Sequence, residues 1–590
     1  MQASNSDRPI PFFYKISMRN TLPVLSLLLL PALGAGIVTT QMIAPQAAQS
    51  GSQTSKTATT DSLGDKKLVL DNPDRVCAQC HKDIYERYKG TPMARGSGIA
   101  TDGLIEGGFT HATSGIRYQL VLRDGQAWMI YDRTVPDTGP FLHGQQLLSY
   151  YIGSGRRGRT YLFEKDRWWF EAPVNYYSRK RLWDMAPNYG SARSMPDTLP
   201  VDSNCLHCHT GKVQTALPES RNMYAGPPFK AAGVTCAACH GDPAQHLAQQ
   251  GHGPIVNPSA LSPAKRDSVC LQCHLEGEAA IYRAGKSLAA YQPGDDLARF
   301  VVYFVNANHQ EGGGRATSQY EALLKSACKR ASGDKLTCTT CHDPHGSPAA
   351  EERVSFYRSK CLACHTGEKM ATEHHPEQRD CAICHMPTRE TRDISHEQLT
   401  DHNIQKYPQK DSGAVVGQTV ELVPVGGVSA GDRELGLAYA QLAAQGDRQS
   451  GEKALSLLKK AESEGADDVE LHVRLGFLDQ ISGKLDEAQG EYQAALARNP
   501  YESVALANLA VLNASQGHTD LAVKLLQKVV AADPSQTAAG LNLAFLECRL
   551  GDKTKAVQTI VEVQRFNPDS DLLHQFLERG KYGDQYCKLR

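Results

Sequence analysis

The chain has 590 residues, a formal net charge of −1 at pH 7 and 17 cysteines. That length holds at least two domains beyond any targeting segment. The near-zero charge gives no concentrated basic surface, so there is no electrostatic case for a nucleic-acid partner.

In residues 1–48, Arg8, Lys15 and Arg19 precede an apolar run from Leu22 to about Ile43, followed by Ala44-Pro-Gln-Ala-Ala48. This pattern is that of an export segment. Its length, broken by Pro23 and Pro31, leaves two outcomes: a signal peptide cut after Ala47 or Ala48, or a retained membrane anchor. The protein is therefore expected outside the cytoplasm, in the periplasm or at the cell surface. Residues 49–70, rich in Ser, Thr, Gly and Gln, read as a flexible linker.

Residues 71–407 carry seven copies of Cys-x-x-Cys-His. The first four are Cys77/Cys80/His81, Cys205/Cys208/His209, Cys236/Cys239/His240 and Cys270/Cys273/His274. The others are Cys338/Cys341/His342, Cys361/Cys364/His365 and Cys381/Cys384/His385. On one helical turn residues i and i+3 share a face, so both sulfurs reach the two vinyl groups on one porphyrin edge. The next residue, His, then lies beneath the iron. In an exported chain this spacing marks covalent haem c, so seven are expected. Structural zinc is the alternative. A four-cysteine zinc site needs two pairs, seven pairs leave one over, and zinc does not require His after every second Cys.

The motif spacing is uneven, with 128 residues between Cys77 and Cys205 but 20 between Cys361 and Cys381. The last three motifs should form a tight cluster. The long first gap alternates in polarity through Ile116–Leu122, turns at Asp124-Gly125 and alternates again through Gln126–Tyr131, the pattern of a hairpin. A second hairpin is expected from Thr160–Glu164 and Trp168–Ala172, so 110–180 reads as a small β insertion. The basic loop Gly153–Arg159 either holds haem propionates or is a solvated turn.

Distal ligands decide the chemistry, because a haem with His on both faces passes electrons but has no open coordination position. Outside the seven proximal positions this region holds eleven histidines. The expected distal set is His111, His246, His309, His345, His375 (or its neighbour His374), His396 and His402. His345 and His246 should serve a neighbouring haem rather than their own, and His111 should reach back to the first. His207 lies inside a motif, and His143 and His252 are surplus. Cys328 is left as either a sulfur ligand or a buried or disulfide-forming thiol.

Residues 408–430 lack helical periodicity and read as a linker. In 431–582 a 34-residue period follows, with Ala488, Ala522 and Ala556 recurring in step with Pro500, Pro534 and Pro568. This is the period of a tetratricopeptide repeat, a helical solenoid whose concave side usually binds a partner segment. A degenerate fourth copy starts at Leu435-Gly436, and Leu572–Leu577 should begin a capping helix. Cys548 and Cys587 are either a disulfide or two free thiols.

Val76–Tyr85 followed by Thr91-Pro-Met93, then Tyr151–Gly155, Cys270–Glu278 and Cys338–Gly346 resemble multihaem cytochromes of the cytochrome c-554 type, here fused to tetratricopeptide repeats. The resemblance implies a periplasmic or cell-surface redox protein with largely bis-His haems. This chain departs from the four-haem c-554 pattern by carrying seven motifs. The expected fold class is mainly α: a haem-packed multihaem cytochrome c domain with a small β insertion, followed by an α-solenoid of repeats. The expected role is an electron carrier with redox partner proteins and a protein or peptide partner at the repeats. Two alternatives stay open: a reductase or oxidase of a small nitrogen or sulfur compound with one open haem, and a repeat scaffold for respiratory complexes.

Overall fold

The computed structural model describes residues 68–588, apart from 135–140, 188, 197, 309–314, 367–379, 392, 407–419 and 583–584. The expected export segment, most of the linker 49–70, and His309, His374 and His375 lie outside the described residues. No helix among the described residues is long and apolar enough to cross a membrane.

The β insertion is larger than its sequence pattern indicated, with strands from 97 to 200. It contains β1 (Ser97–Ile99), β2 (Gly107–Thr110), β3 (Arg117–Arg123), β4 (Gln126–Arg133), β5 (Leu142–Leu148) and β6 (Tyr150–Ile152). β7 (Gly158–Lys165), β8 (Trp168–Tyr177), β9 (Leu182–Met185) and β10 (Leu199–Pro200) follow. β2 to β5 form a sequential antiparallel sheet; a second sheet runs β1-β6-β7-β8-β10, with β9 also on β8. Both expected hairpins are present. Arg123 pairs with Gln126 across Asp124-Gly125, and Lys165 pairs with Trp168 across Asp166-Arg167. All four loop residues have positive φ, from 50° to 77°, as two-residue turns matched to strand twist require. Alternate residues point inward: Tyr118, Leu120, Ala127 and Met129 are buried, as period-two strands predict.

A third sheet pairs Ala279–Tyr282 with Val301–Asn306 and the latter with Leu422–Pro424. That last strand lies in the segment 408–430 expected as a linker. Its three residues are too short for a periodic pattern. A tertiary edge and the Tyr439 hydroxyl, which accepts from the Leu422 amide at 3.0 Å, hold it in place.

The C-terminal helices are α1 (Asp432–Ala444), α2 (Arg448–Ser463), α3 (Val469–Ile481), α4 (Leu485–Arg498) and α5 (Ser503–Ser515). α6 (Thr519–Ala532), α7 (Thr537–Arg549), α8 (Lys553–Phe566) and α9 (Asp571–Arg579) complete the array. They pair as α1–α2, α3–α4, α5–α6 and α7–α8, with α9 as the expected cap. The repeated Ala488, Ala522 and Ala556 are fully buried because the paired helix approaches too closely for a larger side chain. Gly476 shows the same constraint: a Cβ there would lie 2.6 Å from the Tyr492 ring. Cys548 and Cys587 form a disulfide that ties the chain end to α7.

The array is packed back onto the β insertion. Phe566 enters the core shared by the two larger sheets, edge-on to Trp168 and tilted against Phe170. Beside it, Arg133 and Asp569, each 1% exposed, form a bidentate ion pair. Trp168 Nε1 donates to the Ala532 carbonyl at 2.9 Å. At the other end, Arg433 of α1 donates to the Tyr282 carbonyl at 2.9 Å, and Arg283 pairs with Glu434 at 3.0 Å.

Candidate cofactor cavity

All fourteen motif cysteines and all seven following histidines line a cavity of 6630 Å³. Divided among seven motifs this is roughly 950 Å³ each, within the range of about 300–1,000 Å³ for a pocket holding one small molecule or cofactor. Most motifs are short helical turns, whereas the fourth ends the 12-residue helix Pro263–His274 and the sixth starts at the end of the helix Arg353–Leu362. The histidine amide returns to the carbonyl of the first cysteine at 2.8–3.0 Å in the first, third, fifth and sixth. Asp202 and Asp380 cap the second and seventh by accepting backbone N–H bonds, and Thr337 and Thr340 form a capping box at the fifth. Burial pushes the Cys239 and Cys361 thiols up to about 11 and Cys205 to about 12. These sulfurs stand where thioether sulfurs would be.

The histidines carry the most specific geometry. His81 faces His246 with ring centroids 6.4 Å apart and planes 16° from parallel. His240 faces His345 at 5.9 Å and 9°, and His342 faces His402 at 6.3 Å and 30°. Two metal–imidazole bonds of about 2 Å each, plus the half-widths of two rings, account for this separation. Nδ1 of His240, His246 and His402 is bonded to the carbonyls of Val256, Gly253 and Thr400 at 2.8–2.9 Å. Such a bond fixes the tautomer and leaves Nε2 as the ligating atom. Burial lowers His342, His402 and His345, which favours the neutral imidazole a metal needs. In each pair the second histidine follows a different motif from the first.

Two of the expected distal residues have other partners in this structure. His111 is 6% exposed at the turn between β2 and β3, behind the stretch of cavity wall that holds Tyr189 and Ser191. Its Nδ1 is bonded to Ser114 Oγ at 2.9 Å and its Nε2 to the Gly190 carbonyl at 3.1 Å, so both ring nitrogens are committed. His396 also lies off the cavity, with Nε2 on Asp184 Oδ2 at 2.7 Å and its ring edge-on to Tyr177. His309 and His375 lie outside the described residues. His207 lines the cavity, bonded through Nε2 to Gln272 Oε1 at 3.0 Å.

The motifs touch one another. The Cys236 amide donates to Asp74 just before the first motif, and the Cys236 thiol meets that of Cys77. The thiols of Cys270 and Cys338, of Cys273 and Cys208, and of Cys361 and Cys381 are close neighbours and are not joined by disulfides. Tyr357, four residues before the sixth motif, places its hydroxyl 3.3 Å from Nδ1 of His342 in the fifth. Arg156 and Arg157 of the basic loop reach the cavity wall, Arg157 donating to the Ala316 carbonyl at 3.0 Å. Arg159 turns away and lies over Tyr151. Cys328 is a free thiol on the cavity wall.

Sequence reasoning missed that the repeat array supplies part of this wall. Glu470, Arg474, Phe477 and Ile481, one face of α3, line the cavity. Their spacing was legible as a helical face, but nothing local says what that face covers. Gln272 was missed too, because a variable position inside a motif carries no pattern of its own.

Three family matches agree with this arrangement. Residues 180–241 match Cytochrome c554 and c-prime, 330–370 match a doubled CXXCH motif, and 513–579 match a tetratricopeptide repeat. The chain is 26% identical over 179 residues to the multiheme cytochrome MtrA of Shewanella baltica (strain OS185), covering 28% of this chain and 53% of that protein. It thus spans about half the length of the curated relative it matches. Among solved structures, MamA from AMB-1 has 23% identity and a TM-score of 0.22 over 24% of this chain and 75% of that chain. PilF of Pseudomonas aeruginosa has 21% identity and a TM-score of 0.22 over 24% and 65%. The chain resembles multihaem c-type cytochromes joined to tetratricopeptide repeats, and its motifs imply covalent haem c.

Proposed function

We propose that this chain is an exported electron-transfer cytochrome with seven covalent haems, most closed by histidine on both faces, and a repeat array that docks redox partners. The observation that carries the reading is the set of three facing histidine pairs, 5.9–6.4 Å apart, around one cavity shared by all seven motifs. The residues present fit the group: paired sulfurs on helical turns, a proximal imidazole after each, and Nδ1 bonds that orient the distal rings. When bound, the haems supply reversible one-electron chemistry between ferric and ferrous iron. The chain's own part is to attach, orient and shield them, and to tune each through its axial ligand and hydrogen bonds. A redox titration of the matured protein should give low midpoints. Midpoints only in the range of His/Met cytochromes would contradict bis-His ligation.

One observation favours a second reading, a reductase or oxidase with one open haem. Among the described residues three histidines, His246, His345 and His402, face a proximal one, while His111 and His396 are bonded elsewhere. His207 is bonded to Gln272, and His143 and His252 lie off the cavity wall. Electron paramagnetic resonance separates the readings: a substantial high-spin ferric signal favours the enzyme, and its absence the carrier.

A further inference from the structure

We propose that the repeat array holds a divalent transition-metal site, of the kind zinc occupies, made by Glu462 of α2, His472 of α3 and Glu491 of α4. The site is independent of the haem motifs. One donor comes from each of three successive helices, and one ligand atom of each residue lies within 4.8 Å of the other two. His472 is only 5% exposed, and both of its ring nitrogens face carboxylates. Nδ1 lies 2.8 Å from Glu491 Oε2, and Nε2 lies 2.7 Å from Asp467 Oδ1. Asp467 is itself held by the Arg498 guanidinium. A carboxylate behind the imidazole, fixed in turn by a further partner, is the support that orients a metal-bound histidine. It leaves Nδ1 as the ligating atom, on the side where Glu462 and Glu491 converge.

A plain ion-pair network accounts for His472, which without a metal sits as a cation between Asp467 and Glu491. It does not account for Glu462. Among the described residues no hydrogen bond or ion pair engages that carboxylate, yet it is brought against Glu491, a like charge. Apposed carboxylates are unfavourable unless a proton or a cation lies between them. A divalent ion in place of the Nδ1 proton offsets both glutamates at once. Zinc bonds of about 2.0–2.2 Å at tetrahedral angles set neighbouring donors roughly 3.4 Å apart. Rotation of the partly exposed Glu491 side chain opens the present 2.8 Å contact to that spacing. The donor set, one imidazole nitrogen and two carboxylate oxygens, suits zinc and its first-row neighbours better than calcium or magnesium, which take oxygen donors.

The position gives such an ion a structural role. Helix α2 closes the first repeat pair, and α3 and α4 form the second, so a metal at this point pins one pair against the next. Glu470, Arg474 and Phe477 of α3 line the cofactor cavity. By helical spacing His472 lies on the opposite face of the same helix. The ion therefore braces the cavity wall from behind, outside the space the motifs share.

Zinc titration of the naturally matured full chain by calorimetry, with zinc-edge anomalous diffraction to locate the ion, tests this. The expected result is one zinc per chain beside His472 Nδ1. Glu462→Gln removes a carboxylate that has no protein partner, so the fold is kept, and it should weaken that zinc at least about tenfold. His472→Gln should abolish it, whereas His518→Gln, at an exposed histidine of the same array, should leave it unchanged. No anomalous peak beside His472, or Glu462→Gln binding zinc there as tightly as the native chain, would overturn the site. Zinc found at the motif cysteines counts against the haem reading instead, and the map keeps the two results apart.

Discussion

Helix α3 of the repeat array buries ten of its 13 residues, whereas the motif helices Ala237–His240, Cys338–Cys341 and Cys381–His385 bury none. The two regions meet the same demand for a core by different routes. The array closes on itself, with alanines and leucines filling the space between helices. The motif segments surround a cavity of 6630 Å³ and have little apolar partner within the polypeptide. On the proposed reading their core would be the haems, so their stability should follow haem attachment as a metal-dependent domain follows its metal.

The strongest way to sharpen this contrast is to make the chain without haem attachment. Amide hydrogen exchange should then show protection across α1 to α9 and little in the motif helices. Equal protection in both regions would break the comparison. The next effect concerns the seam between them. Asp569→Ala removes the carboxylate that neutralises the buried Arg133 guanidinium, which should cost about 3–5 kcal/mol and separate one thermal transition into two. An unchanged single transition would mean that the seam does not couple the regions.

Within the array, replacing Cys548 and Cys587 by Ala releases a loop of 39 residues, with an expected loss of about 2–4 kcal/mol. Denaturant unfolding of the two forms measures it. The smallest effect is one of pH. Burial opposes protonation of His472, but its hydrogen bonds to Asp467 and Glu491 win and raise its pKa. A raised histidine contributes stability below its unfolded value of about 6.5, and that contribution is lost as pH rises through the folded value. The array should therefore be more stable at pH 6 than at pH 8, and His472→Gln should flatten that dependence.

The array was legible because each repeat is local. Ala488, Ala522 and Ala556 report the same helix contact three times, and Pro500, Pro534 and Pro568 mark the same chain reversal. The Cys-x-x-Cys-His motifs were legible because each lies within five positions. The positions of the spare histidines were legible only in part. His246, His345 and His402 face proximal histidines, but His111 and His396 look no different in sequence, and only the fold shows Ser114, Gly190 and Asp184 beside them. The strand Leu422–Pro424 and the inward face of α3 were hidden for the same reason: each is defined by a distant edge or wall rather than by its own pattern.

The central claim is covalent attachment at all seven motifs, and intact mass of the naturally matured protein, read beside its absorption spectrum, tests it most directly. The account predicts a mass increment of seven haems with a Soret band. A mass equal to that of the amino acids alone, or a spectrum without that band, would contradict it.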